Sequence, residues 1–491
     1  MTWQGAGRRT VAGATAALLG AVWCATAPPR TAHAADTPQP YTFADDTRTV
    51  AGTSSSTGSR RLTPGATYKS SIAHPGAGGG STELYYRLEL GARENVYASV
   101  TALPGLGSRV GFADGIQVSV EDANGFDCDS GSVRFGASRS PRPLTASAVR
   151  DAGEADGRCA RAGTYYVVVE RTASFRSSMS SSTSSSTEKP STPEDWDLEL
   201  HLASEPALAK RGATTPPRTE DTVTPEPPAG PVLPRAGGNS FSTATALETG
   251  VWGDRLEPGW TRYYRVPVDW GQRLSATVEL GGSGGPGGPG GREYVTAALV
   301  VSVLNPARGL VDDIDTSYDG RQKSTALPTL PPVTYENRYA PISRVAEVRF
   351  AGWYYLAVSL DPDVEQRFGD GAIGLTLRVG VTGERHPAPA YAGTARPGDE
   401  FGVTERDEEA ARGGAAGSAD DGGRTPRRGE AAAGGTGDCR RHEDTRGRGH
   451  RHGDGAGHHP RRVDGGGAQA GGAGSFGVRA AAPWCPCVRW L

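Results

Sequence analysis

The chain is poor in the side chains that usually carry chemistry. Between Ala35 and Gly402 there are three histidines, His74, His201 and His386, and two cysteines, Cys128 and Cys159. A Ser-His-Asp apparatus needs a histidine beside a serine on a shaped turn. His74 lies in a Pro/Gly stretch, His201 in a strand-like run and His386 beyond the patterned sequence. The one G-x-S-x-G match, Gly281-Gly282-Ser283-Gly284-Gly285, sits inside a glycine tract, as does the G-x-G-x-x-G match from Gly282 to Gly287. Neither has the strand-to-helix context that such motifs require. HExxH is missing, because His442-Glu443 lacks the second histidine. The expectation is a non-catalytic protein. Charge of one sign is also lacking: 52 basic residues face 55 acidic ones, a net −3, which gives no reason to expect nucleic acid as a partner. Only 36% of the chain is hydrophobic, so some of its 491 residues must lie outside any core.

What is present begins with an export signal. Arg8 and Arg9 precede a small apolar run from Val11 to Ala27, and Ala32-His33-Ala34 fits a small-x-small cleavage site. The run is short for a membrane span. Residues 1–34 therefore read as a signal peptide, with the mature chain beginning near Ala35 in the extracellular space or cell envelope. Trp23 before Cys24 argues against a lipoprotein, whose signal places a small residue there. Outside the cytosol Cys128 and Cys159 can oxidise. Their bond would close a loop of about 30 residues, with a stabilisation of roughly 3 kcal/mol.

The sequence repeats itself. Tyr85-Tyr86-Arg87-Leu88-Glu89-Leu90 returns as Tyr263-Tyr264-Arg265-Val266-Pro267-Val268. At the same offset Val96, Ala98 and Val100 return as Leu274, Ala276 and Val278. Val118-Ser119-Val120 matches Val301-Ser302-Val303, and Ala162-Gly163-Thr164-Tyr165-Tyr166 matches Ala351-Gly352-Trp353-Tyr354-Tyr355. Upstream, Arg61-Leu62-Thr63-Pro64-Gly65 matches Arg255-Leu256-Glu257-Pro258-Gly259. The matched blocks alternate with period two and are separated by turn residues, and no helical period stands out. The expected fold is all-β: two tandem antiparallel β-sandwiches, jelly-roll-like, over residues 41–203 and 237–382. Residues 204–236 form the linker, and Pro206 to Pro234 with its eight prolines reads as a semi-rigid extended spacer. Ser177 to Thr187 and Gly281 to Gly291 read as loop tips.

Asn239-Ser240-Phe241, Ala244, Arg255-Leu256-Glu257-Pro258-Gly259, Tyr263-Tyr264-Arg265-Val266 and Ala351-Gly352-Trp353-Tyr354-Tyr355-Leu356 together resemble the bacterial pre-peptidase C-terminal (PPC) domain. The resemblance covers both copies and is cleaner in the second. It implies an extracellular β-sandwich of the kind often appended to secreted proteases. The matching motifs are turn residues and core aromatics, so no catalytic residue is carried over. Leu84 and Arg262 stand where the family commonly has an acidic residue before the aromatic-Tyr pair.

Two acidic sets follow matching strands: Asp122, Asn124, Asp127 and Asp129 in the first copy, Asp312, Asp313, Asp315 and Asp319 in the second. Carboxylates clustered on a loop are the oxygen ligands Ca²⁺ takes, although the spacing is not that of an EF-hand and turn chemistry alone also explains them. No other cofactor is expected. Tyr85, Tyr97, Tyr165, Trp260, Tyr263, Trp270, Trp353 and Tyr354 are candidates for an exposed stacking surface, with strand packing the more ordinary role for such rings. Residues 383–491 read as a disordered tail. From Arg406 onward there are 14 arginines and no lysine, and five of the nine histidines, His442, His450, His452, His458 and His459, fall here. Either this is a native Arg/His/Gly tail for metal or an anionic envelope polymer, or the reading frame shifts after about Glu409 and a membrane anchor is lost. The functional expectation is an envelope or extracellular protein that binds glycan, peptide or a secreted protein. The alternative is an accessory or inhibitory module for a separate secreted hydrolase.

Overall fold

The computed structural model describes residues 41–76, 80–153, 157–173, 191–210, 212–217, 225–283 and 293–416. The expected signal segment, the Ser/Thr run, most of the glycine tract and everything after Ala416 lie outside the described residues.

The first sandwich is built from β1 (Arg48–Thr49), β2 (Arg60–Arg61), β3 (Thr67–Ile72), β4 (Gly80–Leu90), β5 (Glu94–Leu103), β6 (Gly115–Asp122), β7 (Asp127–Arg134), β8 (Leu144–Arg150), β9 (Gly163–Ala173) and β10 (Trp196–Pro206). The second is built from β11 (Leu233–Pro234), β12 (Thr245–Ala246), β13 (Gly250–Leu256), β14 (Thr261–Val268), β15 (Arg273–Leu280), β16 (Val295–Leu304), β17 (Leu310–Tyr318), β18 (Lys323–Ala326), β19 (Gly352–Leu360) and β20 (Ile373–Thr382). Each holds two five-stranded sheets, ordered β1-β3-β10-β5-β8 and β2-β4-β9-β6-β7 in the first, β11-β13-β20-β15-β18 and β12-β14-β19-β16-β17 in the second. The two orders correspond strand for strand. Tyr86 faces Val167 as Tyr264 faces Leu356, and Val118 faces Val169 as Val301 faces Val358.

One of the sequence matches is out of register. Leu62 donates its amide to the Arg87 carbonyl as Leu247 donates to Arg265, so the spatial counterpart of Arg61-Leu62 is Ala246-Leu247 and not Arg255-Leu256. Thr63-Pro64-Gly65 leads into β3, whereas Glu257-Pro258-Gly259 leads out of β13. The Pro-Gly turn is general enough to occur at both ends of a strand.

Alternation places the cores. Tyr86, Leu88 and Leu90 of β4 are buried against Val96, Val100, Val118, Val167 and Leu200, while Arg87 and Glu89 face water. The second core is larger and includes Trp252, Tyr264, Val278, Val301, Tyr354, Leu356 and Leu377. Each such side chain contributes roughly 1.5–3 kcal/mol when withdrawn from water.

Several strands break the alternation, β16 and β19 of the second sandwich among them. β5 and β10 are buried on both faces, because the outer face of their sheet packs on the second sandwich. Tyr97 and Ala203 meet Ala307, Phe350 and Phe401, with Tyr97 edge-on to Phe350 at 5.0 Å and Phe350 stacked on Phe401 at 4.4 Å. Buried ion pairs cross the same seam: Glu205 with Arg338, and Glu199 with Arg308. The described parts of the expected spacer are therefore built into the fold. Residues 204–206 complete β10, Leu208 bridges Tyr391, and β11 runs parallel to β13.

Residues 383–416 of the expected tail are part of the fold. Arg396 bridges Ser204, and Phe401 joins the seam. A helix, Glu405–Gly413, then opens on a capping box from Thr404 and Asp407, and Ala416 bridges Thr245 of β12. Short helices also occur within the second copy at Ser343–Ala346 and Asp363–Phe368. They are too short for a helical period to show in sequence. We call these three α1 (Ser343–Ala346), α2 (Asp363–Phe368) and α3 (Glu405–Gly413). Among the described residues, no helix is long and apolar enough to cross a membrane.

Candidate functional site: the groove between the sandwiches

At one end of the seam the two sandwiches part, leaving a groove of about 1250 Å³. One wall comes from the first sandwich: the β5–β6 loop from Leu103 to Phe112 and the segment from Ala137 to Pro143 ahead of β8. The other comes from the second: the turn from Pro258 to Thr261, the start of β16 at Tyr294–Thr296, and Asp361 to Arg367 around α2. Tyr41 and Asn239 also line it.

The loops present apolar side chains to water. Gly107 takes φ +77°, a left-handed turn that a side chain would strain, and Ser108 closes the turn by donating to the Gly105 carbonyl. Leu106 at its tip is 61% exposed. Phe112 is 55% exposed, and its carbonyl accepts from Gly136. Opposite, Tyr294 is 58% exposed. Large apolar side chains held in water around one concave surface mark it as a contact surface.

Charge is concentrated at the same place. Arg109, Arg139 and Arg367 are exposed, as are Asp363 and Glu365. Arg142 is half-buried and donates to Ser138 Oγ at 2.8 Å, with its guanidinium over the Phe135 ring. Asp361 is buried, and its Oδ1 accepts from the Asp363 amide at 2.7 Å. Burial pushes this carboxyl up to about 7 and Asp363 adds to the rise, against the Asp363 amide bond and the charges of Arg142 and Arg367. Burial lowers Arg142, against the pull of Asp313, Asp361 and Asp315. This arrangement can hold an extended ligand by ring contact and charge. Its rings and cations come from both sandwiches.

The residues singled out in the sequence fall elsewhere. Cys128 and Cys159 are bonded, with Cα atoms 5.8 Å apart, tying β7 to the turn before β9. The two acidic sets do not make loops of converging ligands. Asp122 Oδ1 is occupied by the amides of Asn124 and Phe126, Asp127 is exposed at the start of β7, and Asp129 accepts from Val149 at 2.8 Å. Asp312, Asp313 and Asp315 lie on β17, a strand, where Asp312 pairs with Arg344 at 3.3 Å and burial raises Asp313. Asp319 pairs with Lys323 at 2.9 Å. Among the described residues, no group of three carboxylates, histidines or cysteines is placed to hold a metal ion.

The aromatic candidates are mostly core. Tyr97, Tyr165, Trp260, Tyr263, Trp270 and Tyr354 are buried, and only Tyr85 and Trp353 are partly exposed. Tyr263 was a candidate for the stacking surface. It is covered instead by Phe241 and Tyr41. Of the histidines, His201 is buried beside Glu400 and Thr67, and His74 Nδ1 accepts from Gly76. Gly281 of the G-x-S-x-G match donates its amide to Gly374 and Ser283 donates its amide to Gly320, while Gly284 and Gly285 lie outside the described residues, as do His450-x-His452 and Cys485-x-Cys487. Phe112 and Tyr294 were not singled out. Their signal in sequence is a large ring inside a glycine-rich connection, where no core can use it.

No family model matches the chain, and no curated protein matches it. Solved structures that align with it include the CUB1-EGF-CUB2 domain of human MASP-1/3, at 9% identity over 64% of this chain and 99% of that one, with a TM-score of 0.15. A tandem CBM22 domain pair from Paenibacillus barcinonensis aligns at 12% identity over 64% of this chain and 91% of its own, with a TM-score of 0.16. The ANX2 ectodomain from Arabidopsis thaliana aligns at 8% identity over 66% and 91%, with a TM-score of 0.16. Scores of this size carry no argument about fold or function, so the chain's own geometry is what bears on its role.

Proposed function

We propose that this chain is an exported, non-catalytic binding protein of the cell envelope or extracellular space, built from two PPC-like sandwiches, with its ligand seated in the groove between them. The observation that carries the reading is the groove itself. Leu106 and Phe112 of one sandwich and Tyr294 of the other are held in water around one concavity, among arginines and carboxylates. The disulfide fits an oxidising compartment. An envelope glycan or peptide matches a long, open, ring-lined surface.

The test is retention of the secreted protein on purified cell-wall material, against capture of secreted hydrolases from culture supernatant. The expected result is wall retention, weakened about tenfold in a Phe112→Ala/Tyr294→Ala variant. Retention that the double variant leaves unchanged removes the groove from the reading. Capture of a hydrolase with no wall retention favours an accessory module.

A further inference from the structure

We infer that the ligand of this groove is an acidic polysaccharide, a chain of sugar rings carrying carboxylates, with its rings against Phe112 and Tyr294 and its charges on Arg109 and Arg367. This rests on the groove being the binding surface.

The charge at the groove runs against that of the whole chain. The whole chain is net acidic at −3, and the proposed signal segment contains three arginines and no acid, so the mature chain is more acidic still. Yet four arginines line the groove, three of them exposed. Only two exposed carboxylates, Asp363 and Glu365, accompany them, and the third acid, Asp361, is buried. Among the described residues, neither Arg109 nor Arg367 makes a direct ion pair, although Arg109 acts through space on Glu194 and Arg367 on Asp361, whereas Arg349 and Arg378 pair within the second sandwich and Arg338 pairs across the seam. The two cations lie on opposite walls, Arg109 in the β5–β6 loop and Arg367 on α2. A polyanion running along the groove meets both.

Rings at this site favour sugar over a bare anion. A phosphate or sulfate uses guanidinium groups and gains nothing from Phe112 or Tyr294. A pyranose face packs on such rings through its C–H groups while its carboxylate reaches the planar fork of an arginine. An acidic peptide shares the charge but lacks a continuous row of saccharide faces.

The test uses the full secreted chain and three polymers: polygalacturonate, the same polymer with its carboxylates reduced to alcohols, and poly-glutamate. The expected result is binding of polygalacturonate that weakens with added salt, about tenfold loss on Arg109→Gln/Arg367→Gln, and about tenfold loss on carboxyl reduction. Poly-glutamate should bind more weakly and should not respond to Phe112→Ala. Equal binding of the reduced polymer, still abolished by Phe112→Ala, overturns the acidic ligand while leaving the groove as the binding surface. Poly-glutamate binding as tight as polygalacturonate overturns the glycan. If no polymer binds and wall retention ignores Phe112 and Tyr294, both readings fall together.

Discussion

Burial of Asp361 among charged groups from both sandwiches sets up a pH dependence whose sign follows from linkage. Its carboxyl titrates near 7 in the fold, well above its usual value, with Arg142 facing it from the first sandwich and Asp363 and Arg367 from α2. Between about pH 4 and pH 7 the folded chain holds a proton that the unfolded chain has released, so stability falls as pH rises across that window, by at most about 4 kcal/mol. Asp361→Asn keeps an oxygen for the Asp363 amide and removes the titration. The variant should show a flatter melting curve between pH 5 and 8 and a higher melting temperature than the parent at pH 8. Parallel curves for the two proteins would show that Asp361 is not the group responsible. The same residue tunes the groove. Protonation removes one negative charge from its wall, so an acidic ligand should bind more tightly at pH 6 than at pH 8, and Asp361→Asn should lose that difference. Glu205 shows the opposite balance. Burial alone would raise it, but the two-pronged contact with Arg338 and the hydrogen bonds from Asn95 and Tyr391 hold it below its usual value.

Among the elements, strands set where chemistry can occur. Asp312, Asp313 and Asp315 read as a loop in sequence because acids and glycines cluster there, but β17 is the outer strand of its sheet, where Asp313 and Asp315 are exposed and Asp312 is half-buried. Since Asp122 and Asp129 are already engaged by backbone amides, added Ca²⁺ should leave the melting temperature unchanged. A rise of several degrees would mean that the carboxylates regroup around the ion. The covalent tie from β7 to the turn before β9 closes a loop with a separation of 31 residues, and Cys159→Ser should cost about 3 kcal/mol, read by denaturant unfolding without reductant. A loss below about 1 kcal/mol would mean that the strand ladders already hold that loop. Much of this level was legible in sequence. Period-two alternation located β4, β5, β6, β9 and their counterparts, because one face of each must be apolar. Two things were not. Pro-Gly turns look alike whichever end of a strand they serve, which misplaced the Arg255 match. The order of residues 383–416 comes from contacts with distant strands, and no local pattern announces it.

At the level of the molecule, the seam between sandwiches was the least legible feature. Tyr97, Ser99, Thr101, His201, Ala203 and Glu205 occupy the alternate positions of β5 and β10 that a lone sandwich would give to water, and their polar members kept the pattern looking half-exposed. The partners that cover them, Arg338, Phe350 and Phe401, sit in connections with no periodicity. The groove depends on this seam, so its rings could be seen in sequence only as stray loop aromatics. The sandwiches should unfold together. Arg338→Met strands a buried carboxylate and should cost about 3–5 kcal/mol. It should also split a single denaturation transition into two, seen by tryptophan fluorescence with far-ultraviolet dichroism. One transition with an unchanged midpoint would show that the seam does not couple the halves.

A sheet covered on both sides has a bearing on how the protein can be handled. Cutting after Pro206 would leave a slab bearing Tyr97, Ala203 and an unmatched Glu205 open to solvent. Either half prepared alone is then a sticky fragment, and the intact pair of sandwiches is the smallest piece on which a ligand can be screened.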